Sequence, residues 1–316
     1  MDAVSDYIGV IGEALVDVVL SDTATPRVHV GGSPLNVAVG LSRLERECRF
    51  VGRFGHDEHG RMIAEHLRAN GVRSLLAPDD APTSRATARL DPTGAANYEF
   101  ALDWTLPSAD ELLQTYRDPS GGQLLHLHTG SIGTMLAPGD AEVMGLIERL
   151  ADSTTISYDP NVRPTLVPDR EFARARAEAC VRLSDVVHAS DEDLAWLYPE
   201  RPLLDTLRQW QSMGPAFVVM TRGAEDIVAV SGNGVRERPI FPVDVEDTVG
   251  AGDSFTAALL AALDDRSLLG AQNRDRLREM DPHDVESVLI YASRASAITA
   301  SRPGADPPTR AELADD

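Results

Sequence analysis

Not one lysine occurs among the 316 residues, so all 29 basic side chains are arginine. That excludes the lysine of a Walker-A phosphate loop, the strand lysine of protein kinases and any lysine Schiff base. Cysteine is nearly as scarce, and Cys48 and Cys180 are too few for a disulfide framework. No apolar run approaches the roughly 20 residues a membrane span needs. Met1 to Ser5 opens with no basic stretch leading into an apolar one, so the expectation is a chain without a signal peptide, located in the cytoplasm. Positive charge is outweighed, 29 arginines against 50 acidic residues, and the net charge of -21 repels nucleic acid and anionic membranes. Partners of that kind are not expected. After Ile8–Ile11 no Gly-x-Gly-x-x-Gly turn follows, which excludes a dinucleotide-binding dehydrogenase.

What is present is an alternation of short β-rich runs with helix-length amphipathic segments, the pattern of a mostly parallel sheet covered by helices on both faces. Strands are expected at Ile8–Ile11, Arg49–Val51, Leu124–Leu127, Thr154–Tyr158, Val186–Ala189 and Phe217–Met220. Helices are expected at Pro34–Leu44 and at Met62–Leu67, the latter stopped by Asn70-Gly71. Two stretches break the alternation, Leu15–Val30 and Ala86–Leu102, the second folded at the turn Asp91-Pro92-Thr93-Gly94. They read as a small β-layer inserted into one domain spanning 1–316, with lid strands from about 13–30 and 85–103. A hairpin is expected around Ser231-Gly232-Asn233-Gly234, then helices Ser254–Leu263 and His283–Ala297, with the charged stretch Asp264–Asp284 as a solvated excursion.

The most informative segment is Asp247-Thr248-Val249-Gly250-Ala251-Gly252-Asp253-Ser254-Phe255, directly before an apolar helix. Small residues at Gly250, Ala251 and Gly252 admit close backbone approach, and amides at a helix N-terminus attract an anion. Asp253 beside them is placed to accept a proton while the amides stabilise a transferring phosphoryl group. A turn with a helix-capping aspartate is the alternative. Asp159-Pro160-Asn161-Val162-Arg163 lies just past an expected strand, where open α/β sheets place ligands. With no lysine available, Arg163 is the expected guanidinium for a nucleotide's phosphates. His126 with His128, and His56 with His59, lack a third ligand at zinc-like spacing and read as structural or solvated.

These segments, with Gly31-Gly32-Ser33-Pro34-Leu35-Asn36 and Gly52-Arg53-Phe54-Gly55-His56-Asp57-Glu58-His59-Gly60, resemble the motifs of the ribokinase-like, or phosphofructokinase-B, carbohydrate kinases over nearly the whole chain. The wording of Asp159–Arg163, Thr129-Gly130-Ser131 and Asn97-Tyr98-Glu99-Phe100 is similar to that of fructokinases. The resemblance implies a three-layer αβα ribokinase-like fold with a small β-sheet lid. It implies Asp253 as catalytic base, with Gly250, Ala251 and Gly252 as its anion hole. Asp17, Gly31, Gly32 and Asn36 would hold the sugar. Phe100 would cover it or belong to an apolar face of the lid. Ser190, Thr221 and Gly223 would lie on the nucleotide side. Asp193 would approach Mg²⁺ through water, or simply serve with Ser190 at a helix start. A potassium ion would rest on the carbonyls of Asp247, Val249, Thr299, Arg302 and Gly304. The implied activity is transfer of the ATP γ-phosphoryl group to a primary hydroxyl of a ketose, fructose foremost. A 2-keto-3-deoxygluconate kinase, a ribokinase-type enzyme and a non-catalytic sugar- or nucleotide-binding regulator on the same fold stand as alternatives. An acid substrate would want a second arginine, for which Arg89 is the candidate, and exposed lid edges suggest a homodimer.

Overall fold

The computed structural model describes residues 5–21, 24–90, 96–117 and 122–314. The first part of the chain runs β1 (Tyr7–Ile11), β2 (Leu15–Ser21), β3 (Ala24–Gly31), α1 (Ser33–Arg43), β4 (Cys48–Val51), α2 (Glu58–Ala69), β5 (Arg73–Ser74), β6 (Arg85–Leu90) and β7 (Ala96–Ala101). The middle continues α3 (Ala109–Tyr116), β8 (Leu124–Gly130), α4 (Gly139–Leu150), β9 (Thr155–Asp159), α5 (Arg170–Leu183), β10 (Val186–Ser190), α6 (Asp191–Leu197) and α7 (Leu203–Ser212). It closes with β11 (Phe217–Arg222), β12 (Glu225–Ser231), β13 (Gly234–Arg238), α8 (Ala251–Asp265), α9 (Arg274–Arg278), α10 (Pro282–Ala300) and α11 (Arg310–Ala314). Every strand expected from the sequence is present. The turn 91–94 lies outside the described residues.

Among the described residues the large sheet has the order β13-β12-β11-β10-β9-β8-β1-β4-β5, parallel except where β12 pairs with β11 and β13. Strand alternation splits its side chains between two cores. Ile8, Val10, Val186, Phe217 and Val219 pack with α1, α2, α8 and α10, whereas Tyr7, Ile11, Val187, Val218 and Met220 pack with α3 to α7. That is the αβα sandwich. The second sheet, β3-β2-β6-β7, draws its strands from the two segments that break the alternation, with α1, β4, α2 and β5 between them in sequence. Val16, Val18, Val28 and Val30 turn one of its faces toward the first core. Its junction with the body is held by Asp57. That carboxylate caps α2 through the Gly60 amide and accepts both the amide and the hydroxyl of Thr83 at 2.8 and 2.7 Å. Burial works against ionisation there, but these bonds outweigh it and bring the pKa down to about 2.

The stretch Asp264–Asp284 corrects its expectation. Leu268, Leu269, Leu277 and Met280 are buried in the first core, and the Arg274 Nε donates to Asp185 Oδ1 at 2.8 Å. The charges are real, but apolar residues spaced among them turn the segment inward. Among the described residues no helix is long and apolar enough to cross a membrane.

Candidate active site

Two helix starts create the site. Gly40 of α1 faces Ala257 of α8 so closely that an added Cβ would stand 2.7 Å from the alanine methyl. This contact brings the first turns of the two helices together. Pro34 at the start of α1 is pre-set for the helical φ, and Phe255, fully buried, anchors the start of α8 with about 2–3 kcal/mol of apolar burial. Asp253, half-buried in the first turn of α8, accepts from Ser33 Oγ at 2.6 Å through Oδ1 and from Asn36 Nδ2 at 2.7 Å through Oδ2. Burial pushes its pKa up to about 6. The bonds from Ser33 and Asn36 pull the other way, Asp159 adds to the rise, and Arg163 opposes it. A carboxylate poised there is ionised at neutral pH yet basic enough to take a proton.

Gly250 precedes the helix at φ 75°, and a Cβ on it would meet the Ala305 methyl at 2.5 Å, so only glycine fits. The Ala251 amide is not free as expected, because it closes a turn onto the Thr248 carbonyl at 3.2 Å. The first-turn amides of Gly252 and Asp253 are the ones without an acceptor further up the helix. A Cβ on Gly252 would come no closer than 3.9 Å to a neighbour, His188, so the fold does not demand glycine there. Its bareness leaves room for a ligand.

On the second sheet, Asp17 pairs with His29 on β3 and Ala86 on β6, and Ala86 pairs with Phe100 on β7. Residues in one row share a face, so His29, Asp17 and Phe100 line the same side. Phe100 is half-buried there. The Asp17 Oδ2 lies 2.4 Å from where a Cβ of Gly31 would be, and a Cβ on Gly32, at φ 117°, would strike the Glu13 carbonyl at 2.4 Å. Burial raises the Asp17 pKa, while His29 and Arg163 lower it. Arg89 pairs with Leu20, on the opposite face from Asp17.

Beyond β9, Asp159 Oδ1 accepts the Asn161 amide at 3.0 Å and bends the loop. Arg163 is exposed on it, its Nη1 donating to Asn161 Oδ1 at 2.6 Å. The positive charge of Arg163 lowers the pKa of the Glu13, Asp17 and Asp253 carboxyls alike. Asp193 points inward instead. Its Oδ1 accepts the Val162 amide at 2.8 Å, and its Oδ2 accepts the amide and hydroxyl of Ser190 at 3.0 and 2.7 Å. Burial first, then Asp159, raises its pKa. The carboxylate expected near magnesium is thus spent on capping α6 and on holding the loop of Arg163. Among the described residues no three His, Cys, Asp or Glu side chains converge as a metal site. His126 and His128 are buried against Thr155 and Ser157, and burial drives their pKa values down to about 3 and about 4.

Ser190 ends β10, Thr221 is next to the last residue of the neighbouring β11, and Gly223, at φ 54° in the turn after β11, faces open space. The residues expected around potassium come together in part. Asp247 Oδ1 accepts the Val249 amide at 3.0 Å and its Oδ2 the Gly304 amide at 2.9 Å, whereas the Thr299 carbonyl accepts the Arg302 amide at 3.1 Å. Arg302 spends its side chain on Asp306 and Glu312.

Sequence reasoning assigned no role to Ser33, Glu13, His29 or His188. Ser33 was legible, since it shares a helix face with Asn36 three residues on. Glu13 alternates with Asp17, and its Oε2 accepts the Gly133 amide at 3.1 Å deep in the cleft. Burial raises its pKa to about 7, against weaker lowering by Ser131, backbone amides and Arg163. The fold therefore holds its proton more tightly than the unfolded chain does, and ionisation destabilises the fold as pH rises from about 4.5 through 7. Glu13→Gln is expected to melt at a higher temperature than the unchanged protein at pH 8, by up to about 3 kcal/mol, and at the same temperature at pH 4.5. Thermal denaturation at the two pH values checks this, and equal midpoints at pH 8 would remove the buried charge from the account.

A sandwich of this topology with an acid between two helix starts and a glycine anion turn defines a class. A family model described as pfkB family carbohydrate kinase matches residues 5–312, and the chain belongs to that family. It is 30% identical over 317 residues to a fructokinase of Vibrio alginolyticus, covering 98% of each chain. It is 32% identical over 313 residues to a probable fructokinase-3 of Arabidopsis thaliana, covering 94% of this chain and 86% of that one. The crystal structure of a Xylella fastidiosa fructokinase with bound ATP superposes with a TM-score of 0.82 at 25% identity, covering 98% of this chain and 97% of that one.

Proposed function

We propose that this chain is an ATP-dependent fructokinase, transferring the γ-phosphoryl group of ATP to a primary hydroxyl of the ketose. The observation that carries the reading is the Asp253 carboxylate, held at 2.6 and 2.7 Å by Ser33 and Asn36 beside the free amides of Gly252 and Asp253. Asp17 and Asn36 hold sugar hydroxyls, Gly31 and Gly32 let the sugar approach the backbone, and Phe100 covers it. As the sugar oxygen attacks phosphorus, Asp253 takes its proton, the bond to the bridging oxygen breaks and ADP leaves. The amides stabilise the charge on the transferring group, and Arg163 adds a guanidinium. Ser190, Thr221 and Gly223 face the nucleotide. The second sheet closes as a lid over the sugar and excludes water.

Magnesium, which when bound neutralises phosphate charge, would arrive on the nucleotide through water, because the carboxylate of Asp193 is occupied within the fold. Potassium would rest on the carbonyls of Asp247, Val249, Thr299, Arg302 and Gly304, where Asp247 already joins the two loops. The lid's edge strands, β3 and β7, offer a homodimer interface. The relatives named fructokinase support the sugar, and so does the lid register. Arg89, the second arginine considered for a keto-acid substrate, lies on the far face. A coupled assay of ADP release over fructose, tagatose, ribose and 2-keto-3-deoxygluconate tests the reading. Fructose is expected to give the highest kcat/KM. A higher value for another sugar overturns the substrate, and no ADP release with any sugar points to a binding regulator.

A further inference from the structure

A second buried acid–base pair lies beneath the anion turn, and none of the roles above uses it. His188 on β10 is 3% exposed, with Nδ1 at 2.8 Å from Asp159 Oδ2 and Nε2 at 3.1 Å from Thr221 Oγ1. Thr256 Oγ1 stands 3.0 Å from the same Nδ1 and 3.5 Å from Asp159 Oδ2. Phe255 stacks on the ring at 5.0 Å between centroids, and the Cε1 is 3.9 Å from where a Cβ on Gly252 would be. One imidazole on β10 thus touches the ends of its two neighbouring strands, β9 and β11, and the first turns of α8.

Burying a polar ring is costly unless its nitrogens are satisfied, and here both have partners. A leucine would fill the space without that condition, so the contacts themselves suggest the purpose. Asp159 shapes the loop of Arg163, Thr221 is next to last in the strand on the nucleotide side, and Gly252 belongs to the anion turn. All three handle phosphate in the reading above. The Asp159 carboxylate accepts from the Nδ1–H, which fixes the ring and leaves Nε2 to accept from the Thr221 hydroxyl and so set its orientation.

We propose that His188 is a positioning residue for the nucleotide's phosphates, orienting Thr221 and propping the anion turn while touching no substrate itself. This deepens the kinase reading and rests on it. A merely structural histidine would weaken the fold and affect both substrates equally. Positioning acts on the nucleotide side alone.

The test compares His188→Asn, Thr221→Val and the double variant with the unchanged protein. Asparagine keeps a donor near Asp159 and loses the reach to Thr221. His188→Asn is expected to lower kcat/KM for ATP by about 10- to 100-fold, as misplaced groups do, with KM for the sugar nearly unchanged. Thr221→Val is expected to lower it about 5- to 10-fold, the loss of one hydrogen bond, and the double variant to be no worse than His188→Asn. Equal rises in both KM values, additive losses, or wild-type kinetics in His188→Asn overturn the proposal. If His188→Asn fails to fold, Thr221→Val decides, and a wild-type KM for ATP in that variant overturns it too. Titration calorimetry of ADP in the absence of sugar reads the same effect, a weaker Kd in the variants. It remains informative if fructose proves to be the wrong sugar, and unchanged ADP affinity in both single variants counts against the proposal.

Discussion

Asp253→Asn is expected to lose about 10²- to 10⁴-fold in kcat and at the same time to become more stable at pH 8. The first effect follows from removing the proton acceptor. The second follows from the site's electrostatics. The folded chain holds the Asp253 proton up to about pH 6, against an ordinary value of 3.8, so the fold favours the neutral form. Stability is therefore lost as pH rises from about 4 through 6, and the loss is complete above that. An amide cannot ionise and escapes it, by up to about 2–3 kcal/mol before screening at this half-buried group. Its geometry also suits the pocket. The amide oxygen accepts from Asn36 Nδ2, and the amide nitrogen donates to Ser33 Oγ, which can accept, so no partner is left unpaired. Steady-state kinetics and thermal melts at pH 8 and pH 4 measure both effects, and the stability gain should vanish at pH 4. The unchanged enzyme should lose kcat/KM below about pH 6 as Asp253 protonates. Near-normal turnover in Asp253→Asn removes the residue from the reaction. A lower melting point at pH 8 would instead mean that the carboxylate serves the fold.

This trade of stability for reactivity explains which features the sequence could reveal. The layers were legible because strand alternation and helix periodicity are local: Ile8 and Val10 turn one way and Tyr7 and Ile11 the other in any parallel sheet covered on both sides. The anion turn was legible for the same reason, since glycine spacing before an apolar helix is a property of nine consecutive residues. Phe100 was not resolved by sequence. Whether it faces the sugar depends on its register with Ala86 and Asp17, two strands away, which no local pattern encodes. Asp193 was equally ambiguous, because an acid three residues after Ser190 suits both a capping box and a metal. Only the approach of the Val162 amide shows where its second oxygen goes. The run from Asp264 misled through composition. Its four buried apolar residues are spaced too widely among charges to stand out, and their burial depends on the tertiary shelf beneath them.

Arg163 carries the other large effect. With lysine absent from the whole chain, this exposed guanidinium lowers the pKa of the Glu13, Asp17 and Asp253 carboxyls alike. Arg163→Gln is expected to reduce kcat about 10²- to 10³-fold, the loss typical of one charged donor aimed at developing charge. It should also move the acid limb of kcat/KM upward from about pH 6, because only the bonds from Ser33 and Asn36 would then oppose burial and Asp159 at Asp253. The two readouts separate the roles of the side chain: the kcat loss reports contact with the transferring group, and the limb reports the field on the base. Arg163→Lys sharpens the distinction. A point charge restores the field and returns the limb toward pH 6, but it lacks the planar fork that grips two phosphate oxygens, so kcat should recover only in part. If the limb stays in place in Arg163→Gln, the guanidinium lies outside the field of Asp253. If Arg163→Lys matches the unchanged enzyme, charge alone suffices and the fork is not used.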